Sequence, residues 1–317
     1  MNYKYIVTGT SLVNNIEYVD GRRITALLGG CGFYAYTGLK MVEDSSLYVS
    51  VVGKDYKKYH GRWLEENGSS DEGLVIEGET TPQTLLKYMP NGDYSDVPVK
   101  LNEDGSFTKL SDENFTKPNS LTSADIEKHL EGVKGLYLFG PWRHGIGDRP
   151  GTREMREKYG YKVMWEVTPW KDSSFHDEFM DTLQYCDIYS FNERESFDYL
   201  SVENEEEAIK VIQEIGKPCF YRDGIKGSYM VTKDKVEFVP IIHAVSKDRE
   251  VDPTGCGNSS TAAAMWAFCE GYSERMIAAI GNAVAAYNCM QYGPYPSVTP
   301  EMRKNLMDIA RKAADGE

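Results

Sequence analysis

An α/β fold on a mostly parallel sheet is what this 317-residue sequence predicts. Three observations carry that prediction. Short apolar runs alternate with amphipathic ones along most of the chain, and strand alternating with helix implies βαβ units. Several of the apolar runs are closed by Gly or Pro, as buried strands are. The two stretches that break the alternation contain Asp-Gly and Asn-Gly turns, the strongest short hairpin signal.

The elements follow in order. YKYIVTG opens as a strand. Residues 11–28, SLVNNIEYVDGRRITALL, place Asp20-Gly21 between β-like arms. LYVSVVG is the next buried strand. Residues 82–110 carry a second turn at Asn91-Gly92 and no helical period, so both irregular stretches are expected to form a small accessory sheet over a crevice. GLYLFG, YKVMWEV, DIYSFN and PCFYRDG then read as strands, separated by the helical patterns TREMREKYG, FHDEFMDTLQYC and NEEEAIKVIQEIG. Ligands of such sheets bind beyond the carboxyl ends of strands. GPWRHG, TPW and NERE should therefore face one crevice. ENEEE at 203–207 is acidic, but it falls in the first turns of a helix, where negative charge suits the dipole. It reads as a solvated face.

Composition limits the function classes. Hydrophobic residues make up 41% and charged residues 26%, the values of an ordinary globule of one large domain over 1–317. A net charge of -14 argues against a nucleic-acid partner. It leaves room for one local phosphate site. The six cysteines, at 31, 186, 219, 256, 269 and 289, form no C-x-x-C pair, and no His pair has metal-ligand spacing. Isolated thiols fit a reducing compartment. MNYKYIVTGT lacks a signal-peptide run, and MIAAIGNAVAAYNCM is too short to span a bilayer. A cytoplasmic protein without a membrane partner is expected.

DPTGCGNSS, residues 252–260, runs straight into the apolar helix pattern TAAAMWAFCEG. A helix N-terminus offers unpaired N–H groups and positive partial charge, and glycines let the backbone approach an anion. Gly255, Cys256 and Gly257 would cradle phosphate oxygens or a developing oxyanion. A tight turn that packs the following Ala-rich helix is the plainer alternative. No Walker-type loop is present. Cys256 at a helix start invites a nucleophile reading, but Cys is also a small hydrophobe that fills an Ala-sized site. No His or acid has a sequence-evident claim to pair with it.

The stretch DPTGCGNSSTAAAMWAFCEG resembles the C-terminal motif of the ribokinase-like (PfkB) carbohydrate kinases, D-T-x-G-A-G-D before a small-residue helix. Other pieces fall in the family's order. SFNERE resembles N-x-x-E, giving Asn192 and Glu195. DGIKGSYMV resembles the strand turn before the nucleotide site, giving Gly224, Lys226, Gly227 and Ser228. GNAVAAYNCMQYG resembles the helix whose early Asn, here Asn282, lies near the adenine. VTGTSLVN and GGCGFYA stand where the family has G-x-x-x-x-D and G-G-x-x-x-N, placing Gly29 and Gly30 at the substrate. The resemblance covers nearly the whole chain. It implies a three-layer α/β/α fold with a β lid from about 11–28 and 82–110, ATP with Mg²⁺, a sugar or nucleoside-like acceptor and a homodimer through the lid. It also implies a metal role for Glu195 and a monovalent-cation (K⁺) role for Asp252.

The departures are concentrated at the acceptor. Asn258 stands where the family has its base, Asn14 where it has the sugar-holding Asp, and Tyr34 where it has the Asn of G-G-x-x-x-N. Glu166 takes the acid of the family's D-x-N strand end, followed by Thr168 instead of Asn. A positioned base contributes about 10²–10⁴ in rate, so the resemblance implies either a slow kinase or a pseudokinase that binds nucleotide or sugar without turnover. Asp252, Asp223 and His144 are the substitute bases to consider. Asn192 and Glu195 also match a capping box, which is compatible with a metal role. Tyr34, Tyr88, Tyr94, Trp142 and Trp170 offer faces for a sugar or nucleoside ring, though any single one is more often packing.

Overall fold

The computed structural model describes residues 2–90, 94–111, 121–139, 149–167, 175–244 and 251–316. The Asn91-Gly92 turn, Trp142, His144, Thr168 and Trp170 lie outside the described residues. Fourteen strands are described: β1 (Tyr5–Thr8), β2 (Leu12–Glu17), β3 (Arg23–Gly29), β4 (Ser46–Val52), β5 (Leu74–Ile76), β6 (Gln83–Tyr88), β7 (Tyr94–Leu101), β8 (Phe107–Lys109), β9 (Gly135–Phe139), β10 (Lys162–Glu166), β11 (Ile188–Asn192), β12 (Cys219–Arg222), β13 (Gly227–Val231) and β14 (Val236–Pro240). They make two sheets.

The larger sheet has the order β14-β13-β12-β11-β10-β9-β1-β4-β5. From β12 through β5 its neighbours are parallel, and only β13 and β14 turn antiparallel. Strand order runs outward in both directions from β1, which pairs with β4 on one side and β9 on the other. That reversal is the switch point at which open α/β sheets leave a crevice. The period-2 pleat feeds two separate cores. Tyr5 and Val7 join the layer built on Cys256–Cys269 and Glu274–Asn288, whereas Ile6 joins the opposite layer. Strands buried on both faces read as continuous apolar runs, which is why these segments were visible as sequence.

Helix starts follow local chemistry. Asn204 caps Glu205–Ile215 by accepting from the Glu207 N–H, and three acids occupy its first turn, so ENEEE is the solvated helix start expected of it. Ser273 caps Glu274–Asn288, and Thr299 with Pro300 begins Pro300–Asp315. The Ala-rich Cys256–Cys269 helix buries Ser259 through Met265 and Ala267 and exposes none of its residues fully. Its small side chains let the Cys31–Lys40 helix approach so closely that Gly38 lies directly against the Ser259 backbone.

The smaller sheet has the order β3-β2-β6-β7-β8. It uses the two stretches that broke the strand–helix alternation, so the expected lid is present. Within it β2 and β3 are antiparallel, while β2 and β6 are parallel. Tyr88, at the end of β6, reaches the body by a 2.8 Å hydrogen bond between its hydroxyl and Thr254 Oγ1.

Candidate active site

Three neighbouring strands end at the same edge of the large sheet with polar side chains: β10 with Glu166, β11 with Asn192 and β12 with Arg222. The Cys256–Cys269 helix points its N-terminus at that edge. Gly255 precedes it at φ 78°, a conformation other residues rarely adopt, and a Cβ there would meet the Tyr34 ring at 2.1 Å. A cavity of about 410 Å³ lies between this edge and the lid. Gly30, Tyr34, Gly255, Gly257 and Asn258 line it from the body, Asn14, Tyr88, Tyr94 and Asp96 from the lid, with Asn192 and Glu195 at its side.

Glu166 is the centre of the polar network. It is 3% exposed, and three donors claim its carboxylate. The Tyr137 hydroxyl donates to Oε2, while Asn258 Nδ2 at 3.1 Å and Arg222 Nη1 at 3.0 Å both reach Oε1. Asn258 thus uses its amide N–H₂ on Glu166 and keeps Oδ1 for other partners. Glu166 also lines the cavity, and its hydrogen bonds orient Asn258 and Arg222.

Asn192 and Glu195 form the full capping box. Asn192 Oδ1 accepts from the Glu195 N–H at 2.9 Å, and the Asn192 N–H donates to Glu195 Oε2 at 2.7 Å. Arg222 Nη2 stands 3.4 Å from the same oxygen. Burial pushes the Glu195 carboxyl up to about 7, with the Arg222 charge acting against that shift. Asp96, which the sequence reading missed, projects from β7 into the cavity, where the loss of surrounding water raises its carboxyl to about 6 although the residue as a whole stays exposed. Asn14 lies nearby, with Thr84 Oγ1 3.5 Å from its Oδ1.

Other sequence candidates sit outside this cavity. Cys256 turns its thiol into the interior, 3.4 Å from the Ala285 carbonyl oxygen. The Cys289 thiol and burial push its pKa well above the ordinary value, which opposes a thiolate nucleophile. Lys226 is clasped by Asp223 at 3.0 Å, Glu205 at 3.1 Å and Glu193 at 3.5 Å, in the turn that contains Gly224 and leads to Gly227. Asp223 is therefore committed to Lys226 and not to the cavity. Ser228 donates to Asn282 Oδ1 at 2.7 Å, and Asn282 Nδ2 donates to the carbonyls of Val239 and Pro240. That network ties β13 and β14 to the Glu274–Asn288 helix. Gly29 backs onto the Asn14 amide, where a Cβ would come within 2.4 Å of Nδ2.

Asp252 accepts from Thr254 N–H and Oγ1 through Oδ1, at 3.0 and 2.6 Å. Its Oδ2 is buried without a partner, as are the Tyr18 and Tyr34 hydroxyls and Asn288 Oδ1. Burial and, after it, the Asp252 charge hold both tyrosine hydroxyls above their ordinary pKa. Unclaimed oxygens around one carboxylate are the donor set of a hard cation.

A fold with this sheet order, this lid and a glycine-led helix start at the crevice is that of the ribokinase-like proteins. Two solved structures share it. A crystal structure of adenosine kinase from Sinorhizobium meliloti is 17% identical at a TM-score of 0.74, covering 99% of this chain and 100% of that one. An Escherichia coli protein assigned as ribokinase II, solved with ATP and Mg²⁺, is 17% identical at 0.73, covering 96% and 99%. At that identity these likenesses establish the fold. Residues 152–302 match the model of the pfkB family of carbohydrate kinases. A protein of Schizosaccharomyces pombe described as uncharacterized is 25% identical across 83% of this chain and 77% of its own length. No helix among the described residues is long and apolar enough to cross a membrane.

Proposed function

We propose that this chain is a pfkB-type phosphotransferase that binds ATP with Mg²⁺ and transfers a phosphoryl group slowly to a hydroxyl of a sugar or nucleoside-like acceptor. The observation that carries the reading is the meeting of two half-sites in one cavity: a helix N-terminus with Gly255 and Gly257 on one side, and a lid pocket with Asn14, Tyr88, Tyr94 and Asp96 on the other. Phosphoryl transfer rests mainly on positioning and charge stabilisation, and the meeting of the two half-sites supports that reading.

The residues suit the implied ions. Glu195 Oε2 is engaged by the Asn192 N–H and Arg222, and its carboxylate at the cavity side would meet a water of Mg²⁺, which keeps most of its water shell. When bound, Mg²⁺ supplies charge neutralisation at the phosphates. Asp252, Asn288, Tyr18 and Tyr34 offer oxygens for K⁺ beside the loop. The protein's own part is to hold phosphate oxygens on the amides of the cradle, to seat the acceptor under the lid and to exclude water by closure at Tyr88. Proton removal is the weak step. Asn258 cannot take a proton at neutral pH, and Glu166 already accepts from three donors.

That same saturation favours a second reading, a pseudokinase that binds nucleotide or acceptor without turnover. Calorimetry with ATP and ADP, together with phosphotransfer assays over a panel of sugars and nucleosides, separates the two. Binding with turnover about 10²–10⁴ below an ordinary kinase supports the first reading. Binding without turnover supports the second, and absence of nucleotide binding at millimolar concentration overturns both.

A further inference from the structure

Arg222 belongs to none of the motifs in this chain, yet its guanidinium lies at the centre of the crevice. It closes the apolar strand β12, where the register places it beside Asn192. Nη1 contacts Glu166 and Nη2 faces Glu195. Gly257, in the cradle, leaves room for it: a Cβ at that position would stand 2.2 Å from Nη1. The guanidinium thus lies directly against Gly257 of the cradle. Its Nε is buried and has no hydrogen-bond partner.

We propose that Arg222 is the cation that holds the terminal phosphate of a nucleoside triphosphate on this cradle. The proposal rests on the nucleotide reading above and adds a residue to it. A planar guanidinium presents donors in a fork that matches phosphate oxygens, and such charge-assisted pairs are the strong ones. Glu166 and Glu195 hold the fork across the cradle before the ligand arrives, so little side-chain entropy is lost on binding. The arrangement also explains the chemistry of Asn258. An amide there donates to Glu166 and leaves that carboxylate free to pair with Arg222.

The test is calorimetric and uses the full chain in EDTA, with ATP and AMP as ligands for wild type, Arg222→Gln and Arg222→Lys. AMP lacks the terminal phosphates and reports an intact nucleoside site. Arg222→Gln should weaken ATP by roughly 10- to 100-fold, the range for hydrogen bonds to charged groups, and leave AMP unchanged. Arg222→Lys keeps the charge without the fork and should fall between them. If Arg222→Gln loses AMP as well, it has not folded, and the ATP-to-AMP ratio of Arg222→Lys against wild type decides. An unchanged ratio overturns the assignment while leaving the kinase reading intact. Wild-type protein that binds ATP with Mg²⁺ but not in EDTA also overturns it. Wild-type protein that binds no nucleotide under either condition overturns the kinase reading itself.

Discussion

The contact between Asn258 and Glu166 determines what a restored carboxylate would do. Asn258→Asp alone brings a second carboxylate to a separation of 3.1 Å, where like charges disfavour joint ionisation. A lower melting temperature and no gain in turnover are expected. Combining Asn258→Asp with Glu166→Gln reverses the direction of the same hydrogen bond. The Gln amide then faces Arg222 Nη1 donor to donor, so the carboxylate introduced at position 258 must be the one that Arg222 pairs with. That double variant should recover stability and raise phosphotransfer by ~10² over wild type; a single variant equally active would show that Glu166 exerts no restraint. A second residue gives a pH signature. His60 is fully buried, with Nε2 2.6 Å from Ser11 Oγ and its ring edge-on to Phe33. Burial lowers its pKa from 6.5 to about 4. The unfolded chain therefore takes up the proton first. The contribution of the neutral ring is complete above about pH 6.5 and is lost as pH falls toward 4, at most about 3 kcal/mol by linkage. In urea titrations at pH 7 and pH 4.5, wild type should lose more stability than His60→Gln; equal losses would place the acid sensitivity elsewhere.

At the level of elements, the tightest joint is between the Cys31–Lys40 and Cys256–Cys269 helices. A Cβ on Gly38 would lie 2.3 Å from the Ser259 carbonyl oxygen, within the turn that follows Asn258. Gly38→Ala should cost about 1–3 kcal/mol, as overpacking does, seen as a lower denaturation midpoint; an unchanged midpoint would mean the helices can part without loss. The elements themselves were legible because each announces itself locally. Continuous apolar runs marked β1, β4 and β9 to β12, Asp20-Gly21 marked the β2–β3 hairpin, and Asn192 and Glu195 marked a helix start. What stayed hidden depends on neighbours across the sheet. The parallel pairing of β2 with β6 joins distant segments. Arg222 meets Glu166 and Glu195 only because β10, β11 and β12 lie side by side. A charged residue between the apolar FY and the DG turn was the one local clue. Asp96 gave none, since an acid in a lid strand reads as solvated until the cavity is seen.

For the whole molecule, β3 and β8 are the edges of the lid sheet among the described residues. Edge strands are templates for pairing, and a two-fold partner is one way to cover them. β3 is exposed or half-buried from Arg23 through Leu28, so a homodimer through the lid is the expected assembly. Light scattering should give about twice the 35.8 kDa chain mass. A monomeric mass, with protease cutting freely in 11–28 and 82–110, would rule that assembly out.

The central position of β1 bears on how the chain is made. Its two partners are β4, which follows soon after, and β9, which begins at Gly135. At ordinary elongation rates the ribosome takes on the order of ten seconds to pass from one to the other. Through that interval the edge of β1 that will meet β9 has no partner, although Tyr5, Ile6 and Val7 are all fully buried in the finished protein. A ribosome stalled before residue 135 would hold an apolar strand paired on one side only. Its lid, already complete in sequence at β8, would have no body to close on.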